Sequence, residues 1–331
     1  MPASNVQWPV PLTRLHPWYP GQFGVPGTDS DRGLRQDSNG KVIWVDPNHA
    51  DAHDGKDGTD PDSPMATVAG ALTKCRAYSG DVIVVAFNGL WTYANTGAGL
   101  RILPVQESVV VTVPGVRIVG LSASGLGVYW YPASNAGVCI TVHAIDVTIE
   151  GFVFSEGPTF AGCTAIYAEW DGATLFGENL TVRHCTFDDT VDIAVQLEYS
   201  WYCDIHSNHF LQCDGYGVYT AAAGSGTAYS VIHDNWFTDC GTAAIALLGG
   251  ADDNSIYNNR IYNANAQAGA LATNEGINTT GGANNMVMNN WLSCLLPAGA
   301  NGDLDDLNTA AATDAWAGNF CMNGLQITQP T

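Results

Sequence analysis

One short phrase recurs four times in the second half of the chain and limits the fold more than any other feature. Each copy has a β-branched residue, an asparagine three places later, and a bulky apolar residue two places after the asparagine. The copies are Ile205–Phe210, Ile232–Phe237, Ile256–Ile261 and Val287–Leu292. Their asparagines, Asn208, Asn235, Asn259 and Asn290, are 27, 24 and 31 residues apart. Repeats of about 20 to 50 residues indicate stacked supersecondary units.

Each copy has the features of a strand that turns a corner. Apolar residues recur at every second position, which is β spacing, and an asparagine can take the left-handed backbone conformation of a corner at little cost. Asparagines at one corner of successive coils can also hydrogen-bond to each other, so we expect the four to form one ladder. Cys185 occupies this corner in a degraded upstream copy, and Asn319 occupies it in a last coil fragment. The pattern predicts an all-β fold, a right-handed single-stranded parallel β-helix of about seven coils.

The same pattern predicts which side chains fill the interior. We expect one buried stack before the corner and another after it. The first contains Ile205, Ile232, Ile256 and Val287, and the second contains Phe210, Phe237, Ile261 and Leu292. A further apolar strand follows each corner, at Val138, Ile166, Val195, Val218, Ile245 and Ile277.

Composition excludes several classes of partner. The 331 residues carry 11 Lys and Arg against 32 Asp and Glu, for a net charge of −21. Nucleic acid and anionic membranes both need clustered cations, and past Arg183 the only basic side chain is Arg260. No apolar run reaches the roughly 20 residues of a membrane span, and the N-terminus does not read as a signal peptide. We therefore expect a protein made in a host cytoplasm, whose nine cysteines are small buried thiols rather than disulfides.

The N-terminal 40 residues differ from the repeats. Six prolines alternate with four large aromatic residues, which blocks both helix and central strand. We expect an extended arm that docks either on a neighbouring chain through residues 1–36 or back on its own β-helix. A partner would be another protein of the same assembly, and a homo-oligomer is a further expectation.

Residues 41–100 carry a family resemblance. A strand at Lys41–Val45 precedes an Asp/Gly-rich loop, and Ser63-Pro64 is typical of a helix start, so we expect a helix over Met65–Tyr78. The segments SPMATVAGALTKC and GDVIVV then resemble the N-terminal cap of right-handed pectin lyase-like β-helix proteins. With the asparagine corners, the resemblance covers roughly residues 41–294. It implies four parts: the arm (1–40), the strand, loop and capping helix (41–100), the β-helix (101–294) and a closing segment (295–331).

Catalytic chemistry has a few candidates. The family's uronate lyases need a basic side chain, yet only Arg117, Arg183 and Arg260 lie among the coils and no two share one. Glycoside hydrolysis needs two suitably spaced carboxylates. The candidates are Asp189 and Asp192, which resemble acidic groups on hydrolytic phage tailspikes, and Glu169 one coil earlier. The alternative is that these acids are solvated loop residues.

One further cluster could bind an ion, whereas a group of histidines gives no reason to expect a metal site. The acidic loop offers oxygen ligands suited to Ca²⁺ at Asp46, Asn48, Asp51 and Asp54, but it lacks the EF-hand pattern, and a solvated loop is the alternative. Four histidines lie near the corners: His184, His206, His209 and His233. We expect His206 and His233, which share a repeat position, to stack on the outer surface.

Two functions fit the residues. The first is a non-enzymatic structural protein of a phage virion surface, such as a capsid decoration or tailspike-like protein. It would be anchored by its arm and could bind cell-surface glycan on the β-helix face. The alternative is a polysaccharide depolymerase acting through carboxylates such as Asp189 and Asp192.

Overall fold

The structure, a computed structural model, consists almost entirely of short strands. It describes residues 40–87, 105–122, 127–156, 161–173, 176–188, 191–221, 226–262, 275–279, 282–292, 313–321 and 326–327. The chain divides into two compact units: residues 1–103 with 116–128, and residues 104–115 with 129–331. Residues 1–39 of the N-terminal arm and Asp189 lie outside the described residues.

The first unit is a small parallel sheet with one short helix. Strand β1 (Val42–Val45) pairs with β2 (Val82–Phe87), which pairs with β5 (Arg117–Ser122). Helix α1 spans only Val68–Leu72. The carboxylate of Asp81 is buried and accepts hydrogen bonds from the backbone N–H groups of Lys41 and Arg76 and from the Arg76 guanidinium. Burial opposes ionisation of Asp81, but these hydrogen bonds outweigh it and lower its pKa.

The helix predicted over Met65–Tyr78 is therefore wrong in its bounds. Met65 forms a β-bridge with Val45, so the chain is still extended there. The N-cap is Thr67, whose hydroxyl accepts from the Gly70 N–H, rather than Ser63. Ser63-Pro64 has the composition of a helix start, but pairing with β1 decides the local backbone.

The second unit contains three sheets, whose strands are numbered in chain order. Sheet 1 contains β8 (Thr148–Glu150), β11 (Thr181–Arg183), β14 (Asp204–His206), β17 (Val231–His233), β20 (Ser255–Tyr257), β23 (Met286–Met288) and β25 (Ala315–Ala317). Sheet 2 contains β3 (Val105–Gln106), β6 (Val128–Tyr131), β9 (Phe152–Phe154), β12 (Thr186–Phe187), β15 (His209–Leu211), β18 (Trp236–Thr238), β21 (Arg260–Tyr262), β24 (Trp291–Leu292), β26 (Asn319–Cys321) and β27 (Gln326–Ile327). Sheet 3 contains β4 (Val109–Val111), β7 (Val138–Val142), β10 (Thr164–Ala168), β13 (Ile193–Leu197), β16 (Tyr216–Thr220), β19 (Ala243–Leu247) and β22 (Glu275–Asn278). Among the described strands the pairings are parallel except that of β26 with β27, and successive coils contribute one strand to each sheet, as a parallel β-helix requires.

The predicted interior is confirmed. Ile205, Ile232 and Ile256 are in register and buried, as is Val287 in the next coil. The second stack, which contains Phe210, Phe237, Ile261 and Leu292, is also buried. Its rings continue upstream through Phe187, which stacks on Phe210 with centroids 4.7 Å apart. In sheet 3 the register matches Ile166 to Ile140 rather than to Val138, two residues earlier on the same face.

The asparagine corner is built from side-chain amides. The Asn208 N–H and its Nδ2 both donate to Asn235 Oδ1, and Asn235 donates in the same way to Asn259. Asn290 and Asn319 continue this pattern, and the Cys185 N–H donates to Asn208 Oδ1. Each amide also donates to a backbone carbonyl of the preceding coil, as Asn235 Nδ2 does to Ile205 at 2.8 Å. All five asparagines are buried.

The corner differs from expectation in one respect. The left-handed residue is the one before each corner residue: His184, which precedes Cys185, and Ser207, Asp234, Asn258 and Asn289, which precede asparagines, have φ between 53° and 56°. The preceding residue makes the bend, and this turns the asparagine amide inward to hydrogen-bond along the coil axis.

A second, unpredicted ladder borders the other end of the sheet 1 strands. The Asn254 N–H and Nδ2 donate to Asn285 Oδ1, and Asn285 does the same to Asp314 Oδ1. Upstream, the Ser230 N–H donates to Asn254 Oδ1 and the Cys203 N–H to Ser230 Oγ. Each member of this ladder lies five residues before a corner residue of the first ladder. The three-residue strands of sheet 1 are thus held at both ends by side-chain hydrogen bonds.

Candidate functional site

The acidic loop uses its carboxylates to shape itself. Asp54 accepts from the N–H groups of Ala66 and Thr67 and from the Thr67 hydroxyl, so it anchors the start of α1. Asp46 is buried and accepts from the Asn48 N–H at 3.0 Å, while the Asp51 N–H donates to a neighbouring histidine. In the described part of the chain, no group of three or more His, Cys, Asp or Glu side chains could hold a metal ion. The predicted Ca²⁺ ligands therefore do not form one cluster.

The predicted histidine stack is confirmed. The rings of His206 and His233 lie parallel with centroids 5.0 Å apart, and Tyr257 extends the stack at 4.9 Å. His233 lies between two carboxylates: its Nε2 is 3.1 Å from Asp204 and its Nδ1 is 2.7 Å from Asp234. Burial lowers the pKa of His206. The Asp234 carboxylate is therefore already hydrogen-bonded to His233.

The structure separates Glu169 from Asp192. Strands β10 and β13 pair from Thr164–Ile193 to Ala168–Leu197, so Asp192 precedes the paired segment and Glu169 follows it. Six residue steps at about 3.3 Å each separate the two positions. This distance is larger than the separation of the two carboxylates in either class of glycosidase. Burial raises the pKa of Asp192, which contacts Gly215 of the next coil rather than another acid.

Glu169 instead meets a carboxylate that the sequence reasoning did not select. Glu198 follows β13 as Glu169 follows β10, so the two stand in register on adjacent coils. The Tyr167 hydroxyl donates to Glu198 Oε2 at 2.7 Å, and His143 Nε2 lies 2.9 Å from Glu169 Oε1. Burial and the hydrogen bonds to Glu198 and Glu169 raise the pKa of Tyr167 strongly. We call Glu169, Glu198, Tyr167 and His143 the carboxylate column.

A concave groove of about 470 Å³ lies on the outer face of sheet 2. It is lined by Asp234, Asn235, Trp236, Asn258, Arg260, Asn289 and Trp291, and we call it the tryptophan groove. Trp236 is in register with Arg260, and Arg260 is in register with Trp291, so the arginine lies between two indoles along the coil axis. Trp236 is 45% exposed and Trp291 is 55% exposed. Both indoles are thus accessible to a ligand, although the next residue on each strand, Phe237 or Leu292, is buried.

The groove belongs to a longer aromatic row. The row consists of the residue directly after each corner asparagine: His209, Trp236, Arg260, Trp291 and Phe320. His209 and Trp236 rings are 5.2 Å apart, and Trp291 and Phe320 rings are 6.1 Å apart. This row could have been found in the sequence, because each member directly follows a corner asparagine. The residue types at this outward position vary from coil to coil, whereas the neighbouring buried position is always apolar and so gives the clearer signal.

Arg260 differs from Arg183 in its side-chain partners among the described residues. In the residues that the structure describes, its guanidinium makes no hydrogen bond or ion pair. By contrast, Arg183 donates to the buried Glu150 at 2.6 Å. The N–H donors of the Arg260 guanidinium are therefore available to a ligand in the groove that Arg260 lines.

Comparisons with known proteins fit this architecture. The sequence model of the family described as "Right handed beta helix region" matches residues 105–292. Among solved structures, ORF18 of Geobacillus virus E2 superposes with a TM-score of 0.51 at 12% identity, covering 76% of this chain and 48% of that one. This chain therefore spans about half the length of the phage protein. The GH136 lacto-N-biosidase from Eubacterium ramulus gives 0.47 at 10% identity (85% and 65% covered), and the Dettilon tailspike protein gives 0.40 at 14% (85% and 60%).

A search of the curated proteins found no match for the sequence. No helix among the described residues is long and apolar enough to cross a membrane.

Proposed function

Because this chain belongs to the right-handed β-helix family, we propose that it is a structural protein of a phage particle that binds glycan in the tryptophan groove. The phage setting rests on the fold shared with the Geobacillus virus E2 protein. In this proposal residues 1–36 anchor the protein to other virion proteins and the β-helix stands at the virion surface. The glycan would belong to the surface of the host cell.

The exposed pair Trp236 and Trp291 carries the proposal. The C–H faces of a sugar ring are apolar while its hydroxyl groups are polar, so sugars are bound by flat aromatic rings with polar groups at the edge. The groove has this composition, with Asn258 and Asn289 beside the indoles as amide donors and acceptors. Its volume of about 470 Å³ lies within the range of small-ligand sites, about 300 to 1,000 Å³.

Replacing either groove tryptophan with alanine should weaken glycan binding at least about tenfold, because buried aromatic anchors dominate binding energy. The measurement is calorimetric titration of the full chain with purified bacterial surface polysaccharides, comparing wild type with Trp236→Ala and Trp291→Ala. Trp201→Ala is the matched control, since Trp201 is 44% exposed but lies outside the groove. Equal loss in the control, or undiminished binding by both groove variants, would place glycan binding elsewhere.

The carboxylate column supports a second candidate, the polysaccharide depolymerase. Retaining glycosidases hold two carboxyl groups about 5 to 5.5 Å apart, and side chains in register on adjacent coils start from backbones about 4.8 Å apart. Glu169 and Glu198 occupy such register positions, and the Tyr167 hydroxyl, which is hydrogen-bonded to Glu198, is placed to influence their protonation. Water would attack a glycosyl–enzyme intermediate in such a reaction, with one carboxyl group serving first as acid and then as base.

On this second reading, Glu169→Gln and Glu198→Gln should each reduce the release of reducing ends from a cleaved polysaccharide at least about 100-fold. Asp192→Asn should leave the rate within a factor of about two, because Asp192 lies at the far end of the strand. The assay uses the same polysaccharides as the binding titration. If wild type releases no reducing ends from any bound polysaccharide, the depolymerase reading fails and glycan binding stands alone.

A further inference from the structure

The tryptophan groove contains one cation, Arg260, and no described residue forms an ion pair with it. From residue 184 to residue 331 the chain has 15 Asp and Glu residues and one basic residue, Arg260. An arginine among so many carboxylates would be expected to form an ion pair. Arg76 and Arg183 do so, with Asp81 at 3.0 Å and with Glu150 at 2.6 Å. Within the described residues Arg260 does not.

The surroundings of Arg260 account for its free guanidinium. The carboxylate that lines the same groove belongs to Asp234, and this group is bonded to His233 Nδ1 at 2.7 Å instead. The rows of sheet 2 put an indole on each side of Arg260 along the coil axis. Indole faces attract a guanidinium and restrict its long side chain without using its N–H groups. Arg260 lines the groove, and its guanidinium donors have no partner among the described residues, so they remain available to a ligand.

We infer that the groove selects a glycan whose sugar carries a carboxylate, and that Arg260 binds this carboxylate between the two indoles. The inference rests on the proposed function and specifies its ligand. The planar guanidinium fork matches a carboxylate with two parallel hydrogen bonds, whereas a neutral hydroxyl uses only one donor. An uncharged glycan would leave Arg260 partly desolvated without a charged partner, and this disfavours neutral sugars as well as favouring acidic ones.

The strong negative charge of the protein does not exclude an acidic ligand. Charges on exposed groups are screened beyond about 8 Å at physiological ionic strength, so the net charge of −21 acts weakly at the groove. Arg260 and its ligand would be in direct contact, where screening is least.

The test compares acidic polysaccharides with their neutral counterparts on the full chain. Polygalacturonate, polyglucuronate and polysialic acid are each titrated into the protein, as are the same polymers after chemical reduction of their carboxyl groups to alcohols. We expect at least one acidic polymer to bind about tenfold or more tightly than its reduced form, as loss of a charged hydrogen-bonded pair predicts.

Variants at Arg260 separate charge from packing. Arg260→Gln should abolish the preference, so that acidic and reduced polymers bind with the same weaker affinity, while Arg260→Lys should retain part of it. Equal binding of acidic and reduced polymers by wild type, or an unchanged preference in Arg260→Gln, overturns this inference and leaves the proposed function intact. Binding of none of the six polymers overturns this inference, whereas the proposed function fails only if the bacterial surface polysaccharides also do not bind.

Discussion

Phe237→Ala should lower the free energy of unfolding by about 3 to 5 kcal/mol, as removing a fully buried phenylalanine does. Phe237 has no exposed surface, and its ring stacks on Phe210 with centroids 4.3 Å apart and planes 8° apart. Gly217 faces it so closely that a β-carbon there would lie 2.7 Å from the ring. The cavity could not be filled by a small shift, because the coil backbones on both sides are tied together by strand hydrogen bonds.

Equilibrium urea denaturation of wild type and variant measures this loss. Trp236→Ala is the matched control, because Trp236 is a larger aromatic residue one position earlier on the same strand but points outward. The control should cost much less, about 0.5 to 1.5 kcal/mol, because Trp236 is 45% exposed and loses mainly its ring contacts with His209 and Tyr262. A loss below about 1 kcal/mol for Phe237→Ala would show that the aromatic stack does not stabilise the coils.

Asn235→Ala should destabilise the protein by a similar amount, about 3 to 5 kcal/mol. The Asn208 N–H and Asn208 Nδ2 would both lose Asn235 Oδ1 as acceptor, and the Ile205 carbonyl would lose its amide donor. All three groups lie at a buried corner, and each buried polar group left without a partner costs about 1 to 3 kcal/mol. The summed cost is therefore as large as that of a core cavity although the side chain is small and polar.

Asn258→Gly provides the control for this variant. Asn258 is also an asparagine at the corner but is exposed, and its φ of 56° suits glycine. Its replacement should alter the unfolding free energy by less than about 0.5 kcal/mol. If urea denaturation gave the two substitutions equal effects, backbone conformation rather than the amide ladder would account for the stability of the corner.

Neighbouring residues of one repeat differed in how far the sequence could predict their roles. The period of two placed Phe237 inside and the common phrase placed Asn235 at a shared corner, and both placements follow from local chemistry. The left-handed residue was assigned one position too late, because asparagine is tolerant of that conformation and its side-chain role was not separated from its backbone role. The second ladder was missed because its upstream members, Cys203 and Ser230, differ in residue type from Asn254 and Asn285.

The candidate sites depended much more on register. Glu169 and Asp192 lie on adjacent coils, yet the pairing of β10 with β13 puts them at opposite ends of the paired strands. The same pairing places Glu198 in register with Glu169. Helix α1 was predicted too long for a related reason, since the bridge of Met65 to Val45 overrides the helical composition of the segment. In each case a contact between residues far apart in sequence decided the outcome.

The sequence by itself determined the fold class, because the alternation of apolar residues and the recurring asparagines are properties of each repeat alone. It also determined that Arg260 is the one basic residue among the Asp, Glu, Lys and Arg residues past Arg183. Only the tertiary structure decided which outward side chains become neighbours. The coils differ in length, with corner spacings of 27, 24 and 31 residues, so the rows on the surface are set by backbone pairing between coils. That pairing brings Arg260 between Trp236 and Trp291, although 24 and 31 residues separate them along the chain.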